Sequence, residues 1–243
     1  MLKFFRKIRK NLINQNRFSK YLIYAIGEII LVVIGILIAL SINNWNEGRK
    51  SRVVELKVLK QIEADLNKTL PQLEGAVKAM QEIYESCEII INVWENKSNY
   101  SDSLSWHFFK SSWTGIGYMT GISTSGYDNL QNLGFDLIQN DSIRERIIHV
   151  YGKRIPQLLN QFNTPNENAI NKEHYLKTFL ISYDNNWIPF DYDKLLNDQF
   201  YYSIVNNNQT SMRARIERLS SGKVGLERHL KSIRQEINRL EDL

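Results

Sequence analysis

The sequence has a single cysteine, Cys87, and only four histidines in 243 residues. One cysteine excludes a disulfide framework within the chain, a cysteine-rich zinc site and an iron–sulfur cluster. The histidines, at positions 107, 149, 174 and 229, do not have metal-ligand spacing, and no HExxH, phosphate-loop or GxSxG motif occurs. We therefore expect no resident metal or cofactor and no catalytic residues, and we expect that the chain is not an enzyme.

Proline and glycine are also sparse, with 4 and 12 residues, while 43% of the chain is hydrophobic and 23% is charged. This composition excludes collagen-like and wholly disordered chains and is ordinary for globular proteins. The length is sufficient for one or two domains.

Acidic residues are absent from residues 1–20, which hold seven lysines and arginines. Because the whole chain carries +5 and this segment carries +7, the remaining residues carry −2. A nucleic-acid-binding protein usually spreads basic residues over a folded face. Here they directly precede an apolar run, a pattern typical of membrane topology, so we expect no nucleic-acid partner.

The apolar run, residues 21–43, reads YLIYAIGEIILVVIGILIALSIN and holds one charge, Glu28. At about 1.5 Å per residue its helix would span roughly 34 Å, enough to cross a hydrocarbon core of about 30 Å. The alternative is a cleaved signal peptide with a cleavage site at Ala39-Leu40-Ser41. The run is longer than the usual apolar region of a signal peptide, which favours an uncleaved signal anchor.

The distribution of lysine and arginine predicts the orientation of this helix. Seven of these residues lie in the 20 positions before it, and five lie in the 20 positions after it. The bias favours a single-pass protein with a cytoplasmic N-terminus and a body on the other side of the membrane. The basic segment is either a short helix on anionic lipid or a disordered tail.

Two stretches of the chain resemble a known family. The opening, KFFRKIRKNLINQNRFSKYLIYAIGEIILVVIGILIALSINNWNE, is similar to that of a family of uncharacterised bacterial single-pass membrane proteins, a domain of unknown function. Residues 126–152, GYDNLQNLGFDLIQNDSIRERIIHVYG, resemble the family's second landmark, in which a short helix begins near a tyrosine and ends at a glycine. The resemblance implies membrane anchoring and a helical body, and it carries no catalytic residues. Together with the charge bias it implies a protein of the bacterial inner membrane with a cytoplasmic N-terminus and a periplasmic body.

The body after Trp45 has apolar residues spaced three and four apart, which is typical of amphipathic helices. The first series consists of Leu59, Ile62, Leu66, Leu70, Leu73, Val77, Met80, Tyr84, Cys87, Ile91 and Trp94. The last series consists of Met212, Ile216, Leu219, Leu226, Leu230, Ile233, Ile237 and Leu240, and the polar residue Lys223 occupies the position between Leu219 and Leu226. The last helix is predicted to begin near Asp191 or Asp198. No strand pattern is evident. We predict an all-α fold, in which one N-terminal transmembrane helix precedes an elongated antiparallel helical bundle with coiled-coil-like long helices. The predicted domains are residues 1–20, 21–43 and 44–243.

Pro71 lies within the first long series, and Thr69-x-x-Gln72 has the form of a helix cap. The sequence leaves open whether one helix kinks there or two helices abut. Asp141 is expected to cap a helix that Pro156 bends. A capping box at residues 164–167 predicts a helix that reaches about residue 180.

Residues 97–127 lack helical periodicity and are rich in serine, glycine and aromatic residues, so we expect a long loop. The candidate contact residues for a partner or ligand are Trp106, Phe109, Trp113 and Tyr118. The alternative is that Trp106 and Trp113 only plug the end of the bundle.

Helical spacing places Glu28, Val32, Gly35 and Ala39 on one face of the membrane helix. Gly35-x-x-x-Ala39 is a small-x-x-x-small pattern, which allows two membrane helices to approach closely. This face is our candidate for a contact with a second copy or a partner, which would offset the cost of placing Glu28 in the membrane. The alternative is that Glu28 reaches headgroup water and the helix is only an anchor.

The sequence therefore favours a membrane-anchored helical interaction or scaffold protein of the bacterial envelope. A protein partner or self-association is expected through the membrane helix and the bundle. The alternative is an extracytoplasmic ligand-binding or sensory domain that uses residues 97–127 as its contact surface.

Overall fold

The computed structural model describes residues 18–113, 121–163, 174–183 and 186–242. This part of the chain is mainly helical, as the sequence predicted. The helices are α1 (Phe18–Glu95), α2 (Leu104–Ser112), α3 (Ser125–Leu133), α4 (Asp141–His149), α5 (Ile155–Asn163), α6 (Tyr192–Leu196) and α7 (Gln199–Glu241). A 3-10 turn, Phe135–Leu137, precedes α4, and a π turn, Val150–Arg154, joins α4 to α5.

The structure also contains a β-hairpin that the sequence analysis did not predict. Its antiparallel strands are β1 (Leu180–Tyr183) and β2 (Asn186–Pro189). Each strand has only four residues, too few for a clear alternation of apolar and polar positions. The hairpin packs through β2 against α2, and Trp187 is buried there. Tertiary packing, rather than local sequence pattern, therefore stabilises these strands.

The chain divides into two compact units, Met1–Val54 and Glu55–Leu243. In the first unit the apolar side chains of α1 are exposed. Among the described residues, α1 is the one helix long and apolar enough to cross a membrane, and none of its most apolar 18-residue window is buried.

The second unit has its own apolar core, and the two predicted series of apolar residues contribute to it. Leu59, Ile62 and Leu66 of α1 and Leu219, Ile233 and Ile237 of α7 are buried, which confirms the predicted seams. Cys87 is buried as predicted, and its thiol donates to the Ser111 carbonyl oxygen at 3.7 Å.

Pairs of side chains connect α1 to α7 along the second unit. In order along α1 these are Lys60–Glu241, Glu63–Arg234, Glu74–Lys223, Tyr84–Arg213 and Trp94–Tyr202. The residue numbers of the α7 partners fall as those of the α1 partners rise. The two helices therefore run antiparallel in this region. Lys223, the polar position in the α7 series, is thus explained by its ion pair with Glu74 at 3.4 Å.

Helix α1 continues through Pro71 without a break. The predicted cap at Thr69 does not form, because the Thr69 hydroxyl donates instead to the Asp65 carbonyl oxygen at 2.9 Å. This bond gives the hydroxyl group a partner within the helix, so Thr69 is part of the helix interior.

The remaining helix boundaries correct some predictions. Asn140, not Asp141, caps α4, and its side chain accepts from the Ile143 N–H. The chain adopts the π turn directly before Pro156, a residue that lacks the N–H of a regular helix. The predicted capping box at residues 164–167 lies outside the described residues. Residues 174–176 are helical and β1 begins at Leu180, so that helix ends earlier than predicted.

Two aspartates begin the C-terminal helices. Asp198 caps α7 by accepting from the Tyr201 N–H at 2.7 Å, and Asp191 caps α6 by accepting from the Lys194 N–H at 3.0 Å. Both positions indicated by the sequence are therefore helix starts, and α7 begins at the second.

A buried carboxylate attaches α3 to α1. Asp65 is 2% exposed and accepts from the Ser123 hydroxyl at 2.5 Å, the Ser125 hydroxyl at 2.9 Å and the Gly126 N–H at 2.7 Å. The N-terminus of a helix favours negative charge. A Cβ atom at Gly126 would lie 2.6 Å from the backbone nitrogen of Ile62. Glycine is therefore required where α3 meets the α1 backbone.

We predict that Gly126→Ala lowers the free energy of unfolding by about 2–3 kcal/mol, because the methyl group forces the two helices apart. Gly75→Ala is the matched control, since a Cβ there has no atom within 4 Å. In an exposed helix that change should be neutral or stabilise by about 0.5–1 kcal/mol. Urea denaturation of the full-length protein in detergent measures both, and equal stabilities would contradict the predicted close contact.

Candidate functional site

An aromatic cluster on the second unit brings together three of the four predicted contact residues. Phe109 lies at its centre, with ring centroids 5.7 Å from Trp106, 5.1 Å from Trp113 and 6.4 Å from Trp187. We use "aromatic cluster" for these four residues. The fourth predicted residue, Tyr118, lies outside the described residues.

The predicted long loop over residues 97–127 is wrong in part, because α2 occupies its middle and α3 begins at Ser125. Trp106, Phe109 and Trp113 are spaced three and four apart, which places them on one side of α2. The opposite side is buried through Leu104, Phe108 and Ser111.

The C-terminal end of α2 is held by a buried asparagine of α7. The Asn208 side chain donates to the carbonyl oxygen of Ser111 at 2.7 Å and to that of Trp113 at 2.9 Å. Such carbonyl groups have no partner within their own helix. The position of Trp113 is therefore fixed by hydrogen bonds rather than by aromatic packing alone.

A lysine of α2 lies between Trp106 and Trp113. The Lys110 ammonium is 5.0 Å from the Trp106 ring centroid and 5.1 Å from that of Trp113. It also pairs with the Glu82 carboxylate at 3.1 Å, and the Lys110 side chain is only 9% exposed. Cation–π attraction to Lys110, which its ion pair with Glu82 holds in position, stabilises the positions of both indole rings.

The two indoles nevertheless remain accessible, with Trp106 44% exposed and Trp113 38% exposed. Large aromatic residues of this kind are enriched in the energetic centres of protein interfaces. Beside them His107 shares a hydrogen bond of 3.1 Å with the Ser86 hydroxyl, and burial lowers the pKa of its imidazole. The surface formed by the aromatic cluster is therefore largely uncharged, because the Glu82 carboxylate offsets the positive charge of Lys110.

Sequence reasoning missed Lys110, Glu82 and Trp187 as members of this site. Lys110 and Glu82 are 28 residues apart, and no local pattern joins them. For Trp187 a signal did exist, because turn-forming residues at 184–186 lie between two short apolar stretches.

The predicted contact face of the candidate membrane helix lies in the first unit. Glu28, Val32, Gly35 and Ala39 all belong to α1 and follow helical spacing along one face. Val32 is 55% exposed, and a Cβ atom at Gly35 would have no atom within 4 Å. Ala39 is exposed as well, whereas Glu28 is half-buried.

Among the described residues, no group of three histidine, cysteine, aspartate or glutamate side chains is placed to hold a metal ion. Asp191, which is two residues from Asp193, serves as a helix cap rather than as half of an acid pair.

Comparison with known protein families matches part of the chain. Residues 28–99 match a family of unknown function, DUF6090, over less than a third of the chain. The match begins in the apolar run, ends just beyond α1, and does not include the aromatic cluster. It fits the resemblance to an uncharacterised family. No curated protein and no solved structure matches the chain.

We predict that Phe108→Ala lowers stability far more than Trp106→Ala, although both change an aromatic residue of α2. Phe108 is 1% exposed, so its truncation should cost about 3–5 kcal/mol. Trp106→Ala should cost about 1 kcal/mol or less, because the indole is half exposed. Denaturation curves of the full-length variants measure both. A similar large loss for Trp106→Ala would mean that the tryptophan is a plug of the core.

Proposed function

We propose that this protein is a single-pass, non-catalytic membrane protein of the bacterial envelope, whose helical second unit binds a protein partner outside the cytoplasmic membrane. The observation that carries the proposal is the exposure of the apolar side chains of α1 in the first unit. The proposal also uses the accessible tryptophans of the aromatic cluster.

The exposed apolar residues surround the helix instead of forming one stripe. They are Leu22, Ile26, Ile29, Ile30, Leu31, Val32, Val33, Ile34, Ile36, Leu37, Ile38, Leu40 and Ile42, each 47–67% exposed. A helix that is apolar on all sides requires an apolar environment around it. The length of this stretch matches the thickness of a bilayer, which supports lipid as that environment.

The distribution of positive charge supports a cytoplasmic N-terminus and a periplasmic second unit. In this orientation the basic residues 1–20 would meet anionic headgroups of the cytoplasmic leaflet. We therefore include anionic lipid among the partners.

The face of Glu28, Val32, Gly35 and Ala39 supports a contact between membrane helices. The two small residues permit close approach of a second helix, and a contact there would remove the Glu28 carboxyl group from lipid. The second helix belongs to another copy of this chain or to the partner.

The geometry of the aromatic cluster favours a protein over a small ligand. The Lys110 ammonium already lies over both accessible indoles. This leaves less ring surface on which a small molecule can stack, whereas a broad protein surface can still cover both indoles. The alternative function is a ligand-binding or sensory domain, in which a small molecule or glycan stacks on Trp106 and Trp113. That alternative is favoured only by the exposure of the two rings.

The orientation predicts that a cysteine placed at Ser98 reacts with a membrane-impermeant maleimide once the outer barrier is permeabilised. Ser98 is exposed in the second unit. The variant carries Cys87→Ser as well, which removes the native thiol but keeps a donor to the Ser111 carbonyl oxygen. The parent, whose Cys87 is buried, is the unlabelled control. Protection of the new cysteine until the inner membrane is lysed would overturn the orientation.

The interaction function predicts that the full-length protein, extracted in mild detergent, retains a stoichiometric protein partner or a second copy. Trp106→Ala combined with Trp113→Ala should abolish this retention. Glu28→Leu should weaken it, and Glu28→Gln should leave it largely intact. Phe200→Ala is the matched control, an exposed aromatic residue outside the aromatic cluster.

The same experiment separates the alternatives. Retention of a small molecule or glycan in place of a protein, lost in the double tryptophan variant, would replace the interaction function by ligand binding. A Glu28→Leu variant that behaves like the parent would leave the membrane helix as an anchor only.

A further inference from the structure

A second surface of the second unit, separate from the aromatic cluster, is a pocket of about 730 Å³ between α7 and the segment that runs from α4 through α5. Its floor is formed by the buried residues Val150, Leu158, Leu226 and His229. Its rim carries four exposed arginines, namely Arg146, Arg154, Arg218 and Arg228.

Little negative charge among the described residues faces this rim. Glu217 is the one acidic residue that they contribute to the lining of the pocket. Arg146 donates to the Ser232 hydroxyl at 2.6 Å. The guanidinium groups of the other three arginines form no ion pair with a carboxylate among the residues that the structure describes.

One rim arginine also lies near a further positive charge. Burial and, after it, the positive charge of Arg218 lower the pKa of Arg215, one turn earlier on α7. An anion bound near Arg218 would add negative charge where these like charges lie close together.

His229 gives the second and independent indication of a ligand. It is 2% exposed, and neither ring nitrogen has a hydrogen-bond partner within the described ranges. Buried polar atoms without partners are rare and costly in folded proteins. Burial and the nearby Arg146 charge lower the pKa of His229 to about 4, so the ring is neutral at pH 7. A neutral imidazole offers one N–H donor and one acceptor to a bound molecule.

The size of the pocket indicates more than a simple ion. Pockets of about 300–1,000 Å³ hold small organic molecules. The apolar side chains of the floor suit an organic portion, while arginines recognise phosphate through paired N–H donors. We propose that this pocket binds an organic phosphate monoester, with its dianionic phosphate among the rim arginines and a polar group of its organic part on His229.

Phosphate monoesters occur both in soluble metabolites and in lipid headgroups, and either source would present the same chemistry to the pocket. Isothermal titration calorimetry of the full-length protein in detergent distinguishes them. The soluble probes are glucose 6-phosphate and adenosine monophosphate, with glucose and adenosine as uncharged counterparts. The lipid probe is dihexanoyl phosphatidic acid, and inorganic phosphate tests the anion alone.

Three variants test the site. Arg154→Gln combined with Arg228→Gln should weaken binding of the preferred monoester by about a hundredfold or more, because two charge-assisted contacts are lost. Arg213→Gln removes one positive charge from the same helix outside the pocket and should leave binding unchanged. His229→Leu should weaken binding about tenfold.

The thermal stability of His229→Leu without ligand shows whether His229 serves the ligand or only the stability of the fold. Replacing an unpartnered buried imidazole by an apolar side chain of similar size should keep or raise the midpoint of thermal unfolding without ligand. A variant that is at least as stable as the parent, and binds the monoester more weakly, supports the proposal.

The proposal is overturned if no monoester binds, if glucose or adenosine binds as tightly as its phosphate, or if the pocket variants bind like the parent. It is also overturned if Arg213→Gln weakens binding as much as the paired arginine variant, since binding would then reflect net charge alone. None of these outcomes bears on the retention of a protein partner, which depends on other residues.

Discussion

The antiparallel pairing of α1 with α7 is the contact on which the rest of the second unit depends. Paired side chains connect the two helices from Lys60–Glu241 to Trp94–Tyr202, and their apolar seams are buried between them. The shorter helices then attach through individual polar groups. Asp65 of α1 holds the start of α3, and Asn208 of α7 holds the end of α2. Without the helix pair neither acceptor nor donor would be in place.

The predictable part of the fold was the part determined by local periodicity. The spacing of Leu59, Ile62 and Leu66 gave the buried face of α1, and that of Leu219 and Ile233 gave the buried face of α7. The hairpin was missed because its four-residue strands are stabilised by the contact of Trp187 with α2, far away in sequence. The helix α2 was missed because serines and tryptophans obscure its apolar face.

The candidate sites show the same division. Trp106, Phe109 and Trp113 could be selected from sequence, since exposed aromatic residues concentrated in one segment are unusual. Their partner Glu82 could not, because nothing local relates it to Lys110. The arginines of the pocket belong to two chain segments more than 60 residues apart, and only folding reveals that Arg154 and Arg218 line one space.

The distance in sequence between α1 and α7 has a consequence for biosynthesis. Glu241 is synthesised roughly 180 residues after Lys60, the residue with which it pairs. At about 5–20 residues per second, on the order of ten seconds or more pass between the synthesis of the two. Until α7 has been synthesised, only the helices that precede it, or another protein, can cover the apolar seam of α1. Contacts between residues so distant in sequence also form slowly once both are present.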